Sequence, residues 1–113
     1  MNPGRYNISV VSGTTFALSP QWLISNSPVD LTGYSADMQV RDVSNNLITE
    51  LSIDNGKITL TPTQGIVNLA LTATQTKALS VGNYSYGLNL TDSAGNVYQI
   101  LQGAFIITAS AVQ

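Results

Sequence analysis

The chain contains neither cysteine nor histidine among its 113 residues. Without cysteine it has no disulfides and no thiolate ligands, so its core and its hydrogen bonds must hold the fold together. Without histidine it lacks the commonest general base, the usual zinc ligand and the ordinary nucleophile–base pairs. These two absences exclude most enzyme classes, and we expect a protein that is not an enzyme and needs no cofactor.

Charged residues are also scarce, at 9% of the chain against roughly 25% in an average soluble protein. The surface must therefore be covered by Ser, Thr, Asn and Gln, which together with 9 Gly favour strands and turns over helix interiors. The basic residues form no stripe that could follow a phosphate backbone, so we expect no nucleic-acid partner. They are scattered as Arg5, Arg41, Lys57 and Lys77.

No apolar run approaches the length of a membrane span, and the first residues, MNPGR, lack the basic and apolar regions of a signal peptide. We therefore expect a protein that is made in the cytosol and has no membrane partner. The length fits one domain over residues 1–113.

Strict alternation of apolar and polar residues is clearest at residues 84–91. A turn at 92–96 and a second run at 97–108 make this region a predicted hairpin, with a bulge or bend expected at Gly103. Residues 36–40 and 47–53 form another predicted hairpin, and 57–61 and 67–71 two further strands. The apolar phase of these strands predicts a core containing Met38, Val40, Leu60, Leu69, Leu71, Tyr84, Leu88, Leu90 and Ile100.

One short helix is predicted at residues 73–79, because Thr72 can cap it, Gln75 follows three residues later and Gly82 comes after its end. The first 24 residues have room for two or three strands. With about seven or eight strands separated by turns, the sequence predicts an all-β fold, an antiparallel immunoglobulin-like β-sandwich with one short helix. A small closed barrel is the alternative.

The six acidic residues do not gather into a catalytic or metal-binding motif. Asp37 and Glu50 fall on outward positions of neighbouring strands, where they and Arg41 can form a solvated face. Calcium needs several carboxylates in one loop, and each loop here offers one. We expect no catalytic, cofactor or metal site. The other acids fall in predicted turns, where Asp commonly bonds its own backbone: Asp30, Asp42, Asp54 and Asp92.

The single tryptophan, Trp22, could be a platform on which a sugar stacks. Its neighbours Leu23 and Ile24 favour a place in the core instead. Tyr84 and Tyr86 share one strand face and are also expected in the core, with their phenol groups reaching its rim.

Several stretches occur in a fixed order: PVDLTGY at 28–34, MQVR at 38–41, GNYSYGL at 82–88, GNV at 95–97, and Gly103 before Phe105. Together they resemble a family of small tailed-phage structural proteins. That family is similar in turn to the immunoglobulin-like N-terminal domain of phage upper-baseplate proteins. The resemblance spans residues 13–108, and one departure from the family pattern is Gly87, where the family often has Asp.

The resemblance implies a virion component, made in the host cytoplasm, at the tail, the baseplate or the fibre attachment. It would hold other virion proteins in a symmetric assembly through its sheet edges and termini, with no small-molecule substrate. A capsid decoration protein and a carbohydrate-binding module are the alternatives. The terminal residues lie outside the alternation and are expected to order against a partner: Met1, Asn2, Pro3, Gly4, Arg5, Ala109, Ser110, Ala111, Val112 and Gln113.

Overall fold

The computed structural model describes residues 4–110, which form strands joined by short turns and a single α-helix, α1 (Ala73–Lys77). A 3₁₀ turn at Pro62–Gln64 precedes β9. In that range no helix is long and apolar enough to cross a membrane. The strands are β1 (Gly4–Arg5), β2 (Ile8–Val11), β3 (Phe16–Leu18), β4 (Leu23–Ile24), β5 (Ser27–Pro28), β6 (Ser35–Arg41), β7 (Leu47–Ser52), β8 (Ile58–Thr61), β9 (Ile66–Leu71), β10 (Gly82–Thr91) and β11 (Val97–Thr108).

Two main sheets enclose the core. The larger has the order β1–β11–β10–β6–β7, with β2 also paired to β11, and the smaller has the order β3–β9–β8. The strand pairs are antiparallel except that β1 and β2 run parallel to β11. Since β1 and β2 pair with β11 in one register, they are one interrupted strand. The two sheets then hold eight strands, five and three, and the predicted immunoglobulin-like β-sandwich is confirmed.

The core lies between the sheets and follows the period-two pattern of the sequence. Of the nine predicted core residues, Leu60, Tyr84 and Ile100 are only partly buried and pack against its margin. Trp22 and Tyr86 are buried, as expected. The other six predicted core residues are at most 2% exposed: Met38, Val40, Leu69, Leu71, Leu88 and Leu90.

Helix α1 begins with the predicted reciprocal cap. The Gln75 backbone N–H donates to Thr72 Oγ1 at 3.2 Å, and the Thr72 N–H donates to Gln75 Oε1 at 2.8 Å. The helix ends at Lys77, two residues before the predicted end. Thr76 is fully buried, and its hydroxyl accepts from the Gly13 N–H and donates to the Thr14 carbonyl, so the helix holds the turn between β2 and β3.

The irregularity expected at Gly103 lies three residues earlier. Leu88 pairs with Leu101 but Asn89 pairs with Gln99, which leaves Ile100 as the extra residue of a bulge in β11. Gly103 itself stays in the ladder, opposite Tyr86. The predicted position of the bulge was therefore wrong. The glycine at 103 has a different structural role.

That role is to allow a close approach of the first strand. A Cβ on Gly103 would overlap the carbonyl oxygen of Tyr6, the residue that follows β1. This carbonyl accepts a hydrogen bond of 2.6 Å from the Tyr86 hydroxyl, and the Ala104 N–H donates to Asn7 Oδ1 at 3.1 Å. The interruption between β1 and β2 therefore allows the Tyr86 side chain to bond the edge strand from within the sheet.

We expect Tyr86→Phe to lower the free energy of unfolding by about 1–2 kcal/mol, because the Tyr6 carbonyl loses its donor in a partly buried place. The matched control is Tyr84→Phe on the same strand. Its hydroxyl bonds the Ser80 carbonyl at the same length, 2.6 Å, but locally and in solvent, so the expected change is about 0.5 kcal/mol or less. Urea denaturation measures both, and equal losses would show that the Tyr6 bond contributes nothing particular.

Candidate interaction surfaces

The structure describes only some of the terminal residues that were predicted to bind a partner. Gly4 and Arg5 are exposed but belong to the larger sheet, where β1 pairs with Leu101 and Gln102. Ala109 and Ser110 follow the end of β11. The remaining predicted partner-binding residues lie outside the described residues: Met1, Asn2, Pro3, Ala111, Val112 and Gln113. A role of the termini in binding a partner stays a prediction.

Strand β2 forms an open edge of the larger sheet. The backbone N–H groups of Tyr6 and Ser12 donate to Gln102 and Thr108 of β11, each at 2.9 Å. Because a strand alternates with period two, the N–H groups of Ser9 and Val11 face away from β11. These two N–H groups can pair with a strand from another chain, although the Val11 carbonyl already accepts from the Thr14 N–H and hydroxyl.

Strand β3 forms an open edge of the smaller sheet directly beside it. It pairs with β9 on one side, and the turn at residues 12–15 joins it to β2. A groove of about 330 Å³ runs between the two strands and is lined by polar side chains such as Ser9 and Thr15 as well as apolar ones such as Val11 and Ala17. Neither strand contains a charged residue, since their sequences are ISVV and FAL. Residues 8–11 and 16–18 therefore lack a charge that would protect an edge, although Arg5 lies in β1, the first part of the same interrupted edge strand.

A polar network covers the outer face of the larger sheet. Arg41 Nη2 donates to Gln39 Oε1 at 2.6 Å, and Gln39 Nε2 lies 3.3 Å from both Asp37 Oδ2 and Glu50 Oε2. The predicted outward face of Asp37, Arg41 and Glu50 is thus confirmed, but the two carboxyls are closer than sequence reasoning anticipated. Register explains this, because Gln39 pairs directly with Glu50 and Asp37 pairs with Ser52.

Asp37 has the unusual electrostatics in this network. Burial, a hydrogen bond with Glu50 and the negative charge of Glu50 raise the pKa of Asp37 to about 6. Asp37 Oδ1 and the Asn89 Oδ1 on the facing strand are both buried acceptors without a hydrogen-bond partner among the described residues. A proton on the Asp37 carboxyl would supply a donor between these acceptors, which is consistent with the raised pKa.

The turn acids bond their own backbone, as expected. Asp42 Oδ1 accepts from the Ser44 and Asn46 N–H groups, and Asp92 Oδ1 accepts from Ala94 and Asn96 in the same pattern, all at 2.9–3.0 Å. These bonds, led by the backbone bond from Asn46 or Asn96, lower the pKa of each carboxyl.

The remaining turn acids follow the pattern in part. Asp30 Oδ1 accepts from the Thr32 hydroxyl and N–H. The turn after β7 differs, because Asn55 rather than Asp54 organises it, accepting from the Ser52 and Lys57 N–H groups. Within residues 4–110 no group of three acidic side chains is placed to hold a metal ion.

The aromatic residues Trp22, Tyr34 and Tyr98 meet at one end of the sandwich. The Trp22 ring lies 6.3 Å from the Tyr34 ring and 5.5 Å from the Tyr98 ring, between centroids. They border a pocket of about 450 Å³. Sequence reasoning placed Trp22 in the core, which is confirmed, but gave no signal that two tyrosines, 12 and 76 residues further along the chain, would join it.

No known family model matches the chain, and no curated protein matches it in sequence. Solved structures share its fold. The N-terminal domain of ORF48 of phage TP901-1 is similar over 94% of this chain and 89% of that one, with 10% identity and a TM-score of 0.62. CopC from Methylosinus trichosporium OB3b is similar over the same shares, with 12% identity and a TM-score of 0.52. At these identities the likeness concerns the fold alone.

We expect Asp37→Asn to raise the melting temperature at pH 7.5 and to raise it much less at pH 4.5. Asp37 binds its proton more tightly in the folded chain, with a pKa of about 6 against 3.8. The stabilisation of the folded chain by the protonated Asp37 carboxyl is therefore complete below about pH 4 and is lost as the pH rises through about 6.

The control for this prediction is Asp42→Asn, for which the sign reverses. The pKa of Asp42 is lowered by its turn, so its ionised form stabilises the folded chain above the unfolded pKa. This variant should melt below the parent at pH 7.5. Thermal scans across pH 4–8 measure both, and an Asp37→Asn variant that is destabilised at pH 7.5 would contradict the assignment.

Proposed function

We propose that this protein is a non-enzymatic structural or adaptor component of a tailed-phage virion, at the tail, the baseplate or the fibre attachment. Its partners are other virion proteins, which it binds through sheet edges and termini. The sequence pattern that resembles small tailed-phage structural proteins supports this proposal. The shared fold with the N-terminal domain of phage TP901-1 ORF48 supports it at the level of architecture.

The observation that carries the proposal is the pair of open strand edges at β2 and β3, two segments that contain no charged residue. Residues 8–11 and 16–18 present open strand edges side by side, with a groove of about 330 Å³ between them. Exposed edges of soluble β proteins are usually protected by charge, proline or a covering segment. An edge without charge is explained when a partner strand covers it, with backbone bonds giving affinity and the groove receiving alternate side chains.

The low charge of the surface serves the same role. A partner that docks on Ser, Thr and Asn side chains removes water from fewer charged groups than one that docks on Lys and Glu, so docking costs less. Repetition of a weak contact in a symmetric particle then multiplies its strength without any new interaction. Catalysis has no part in this proposal, because Asp30, Asp42 and Asp92 hold turns and the Asp37–Glu50 pair lies on an outer sheet face.

The direct test is the composition of purified particles. The gene is deleted from the phage that carries it, the chain is supplied from a plasmid, and gradient-purified particles are probed for it by immunoblot and cryo-electron microscopy. Density at the tail, the baseplate or the fibre attachment would support the proposal. Density on the capsid would favour the decoration protein, and absence from particles would refute a virion role.

In the same system Ser9→Lys should reduce incorporation severalfold while the chain stays folded. Ser9 is exposed on the edge strand β2, where a lysine opposes pairing with another strand. Ser85→Lys is the matched control. Ser85 is also exposed, but it lies on the central strand β10, between β11 and β6. Equal incorporation of the two variants, with parental melting temperatures, would exclude β2 as the contact.

Shortening the chain separates the termini from the edges. Removal of residues 1–3 and 111–113 leaves every described strand intact, so the melting temperature should change little. If these residues order against a neighbour, as proposed, incorporation into particles should fall. Parental incorporation of the shortened chain would remove the termini from the mechanism and leave the edges as the contact.

A further inference from the structure

The aromatic pocket at the end of the sandwich has features of a binding site that the edge mechanism does not use. Trp22 forms its base and is only 7% exposed, while Tyr34 and Tyr98 stand against it as walls. Ile24 and Val97 form an apolar rim and are 49% and 60% exposed. The volume of about 450 Å³ lies within the range of small-ligand sites.

The wall of the pocket is fixed by backbone bonds. The Trp22 N–H donates to the Gly65 carbonyl at 2.8 Å, and the Trp22 carbonyl accepts from Val29 at 3.0 Å. A Cβ at Gly65 would come within 2.7 Å of that Trp22 carbonyl, and Gly65 has a φ of +66°, so glycine is needed there twice over. The fold therefore holds the backbone of Trp22 in place beside the pocket.

Two carboxylates give the mouth of the pocket a negative charge. None of the residues that line it is charged, but Asp92 lies beside Tyr98 of the lining and Asp30 directly follows Val29 of the lining. Tyr98 Oη lies 3.5 Å from Asp92 Oδ2. Both acids have a lowered pKa because their own turns donate to them, so they are ionised at neutral pH.

We propose that this pocket binds an arginine side chain of a partner polypeptide. A guanidinium group can stack on the half-buried rings of Tyr34 and Tyr98 and is attracted by their faces, while its methylene stem can lie along Ile24 and Val97. Asp92 and Asp30 supply the complementary charge. The proposed function enters this proposal only in suggesting that the partner is a virion protein. Arginine binding itself can be tested on the isolated chain.

The same features disfavour other occupants. A neutral sugar could also stack on the half-buried rings of Tyr34 and Tyr98, but it would gain no ionic attraction from Asp92. An anionic group would approach two carboxylates with no cation among the lining residues. An uncharged aliphatic side chain would gain the apolar contacts alone.

The test is a titration of the ¹⁵N-labelled chain with the peptide acetyl-Gly-Arg-Gly-amide at low salt, followed by nuclear magnetic resonance. We expect saturable shifts at the Trp22 indole and at Tyr98, weakened by added salt. The same peptide with norleucine in place of arginine should bind more weakly. Asp92→Asn should weaken arginine binding about two- to fivefold, the usual size of an exposed charge pair.

Asp42→Asn is the matched control. Asp42 organises a turn with the same hydrogen bonds as Asp92, but Arg41 pairs with Ser85 whereas Ser35 pairs with Thr91, so the two turns lie at opposite ends of the sheet. The control variant should bind as the parent does.

Three outcomes would overturn the proposal: no saturable shifts, equal weakening by both substitutions, or norleucine binding as well as arginine. Saturation by N-acetylglucosamine in place of the peptide would assign the pocket to a sugar and overturn it too. None of these outcomes bears on incorporation through β2.

Discussion

The larger sheet depends on one hairpin. Strands β10 and β11 pair over residues 82–91 and 97–107, and each other strand of that sheet joins through them, β6 on one side and β1 and β2 on the other. Their inward side chains include Leu88, Leu90, Phe105 and Ile107, which are at most 1% exposed. Because the smaller sheet packs on this face, both the core and the open edges take their positions from the hairpin.

Local patterns predicted most of the strands, since alternation, turn residues and the Thr72–Gln75 cap act over a few positions. Pairings across the chain were beyond such patterns. Nothing near Ile8 indicates that it will run parallel to Phe105, and nothing near Gly103 shows that the Tyr6 carbonyl will lie against it. A bulge glycine and a glycine that yields space to a distant strand look alike in sequence, which explains the misplaced bulge.

The candidate surfaces likewise combine features that local sequence could predict with features that depend on pairings between distant residues. The turn acids could be predicted because each bonds groups within four residues of itself. The proximity of Asp37 and Glu50 depends on the register of a hairpin, and the meeting of Trp22 with Tyr98 depends on the packing of the β4–β5 region against the start of β11. The same turn hydrogen bonds occur at both ends of the sheet, and the Asp92 turn also lies beside the Tyr98 hydroxyl. The turn motif alone therefore does not distinguish Asp42, which only holds its turn, from Asp92, for which we propose an additional role in binding.

The parallel pairing of the first and last strands has a mechanical consequence. Residue 4 enters beside Leu101, and β11 leaves at Thr108 beside Val11, so the described ends of the chain point in opposite directions along adjacent strands. Tension between these ends would slide β2 along β11 and strain the hydrogen bonds of that ladder together, instead of opening them one after another. The Tyr86–Tyr6 bond crosses the same interface and resists the same displacement. A domain loaded in this direction yields in shear, the geometry in which a short β ladder withstands the greatest pull.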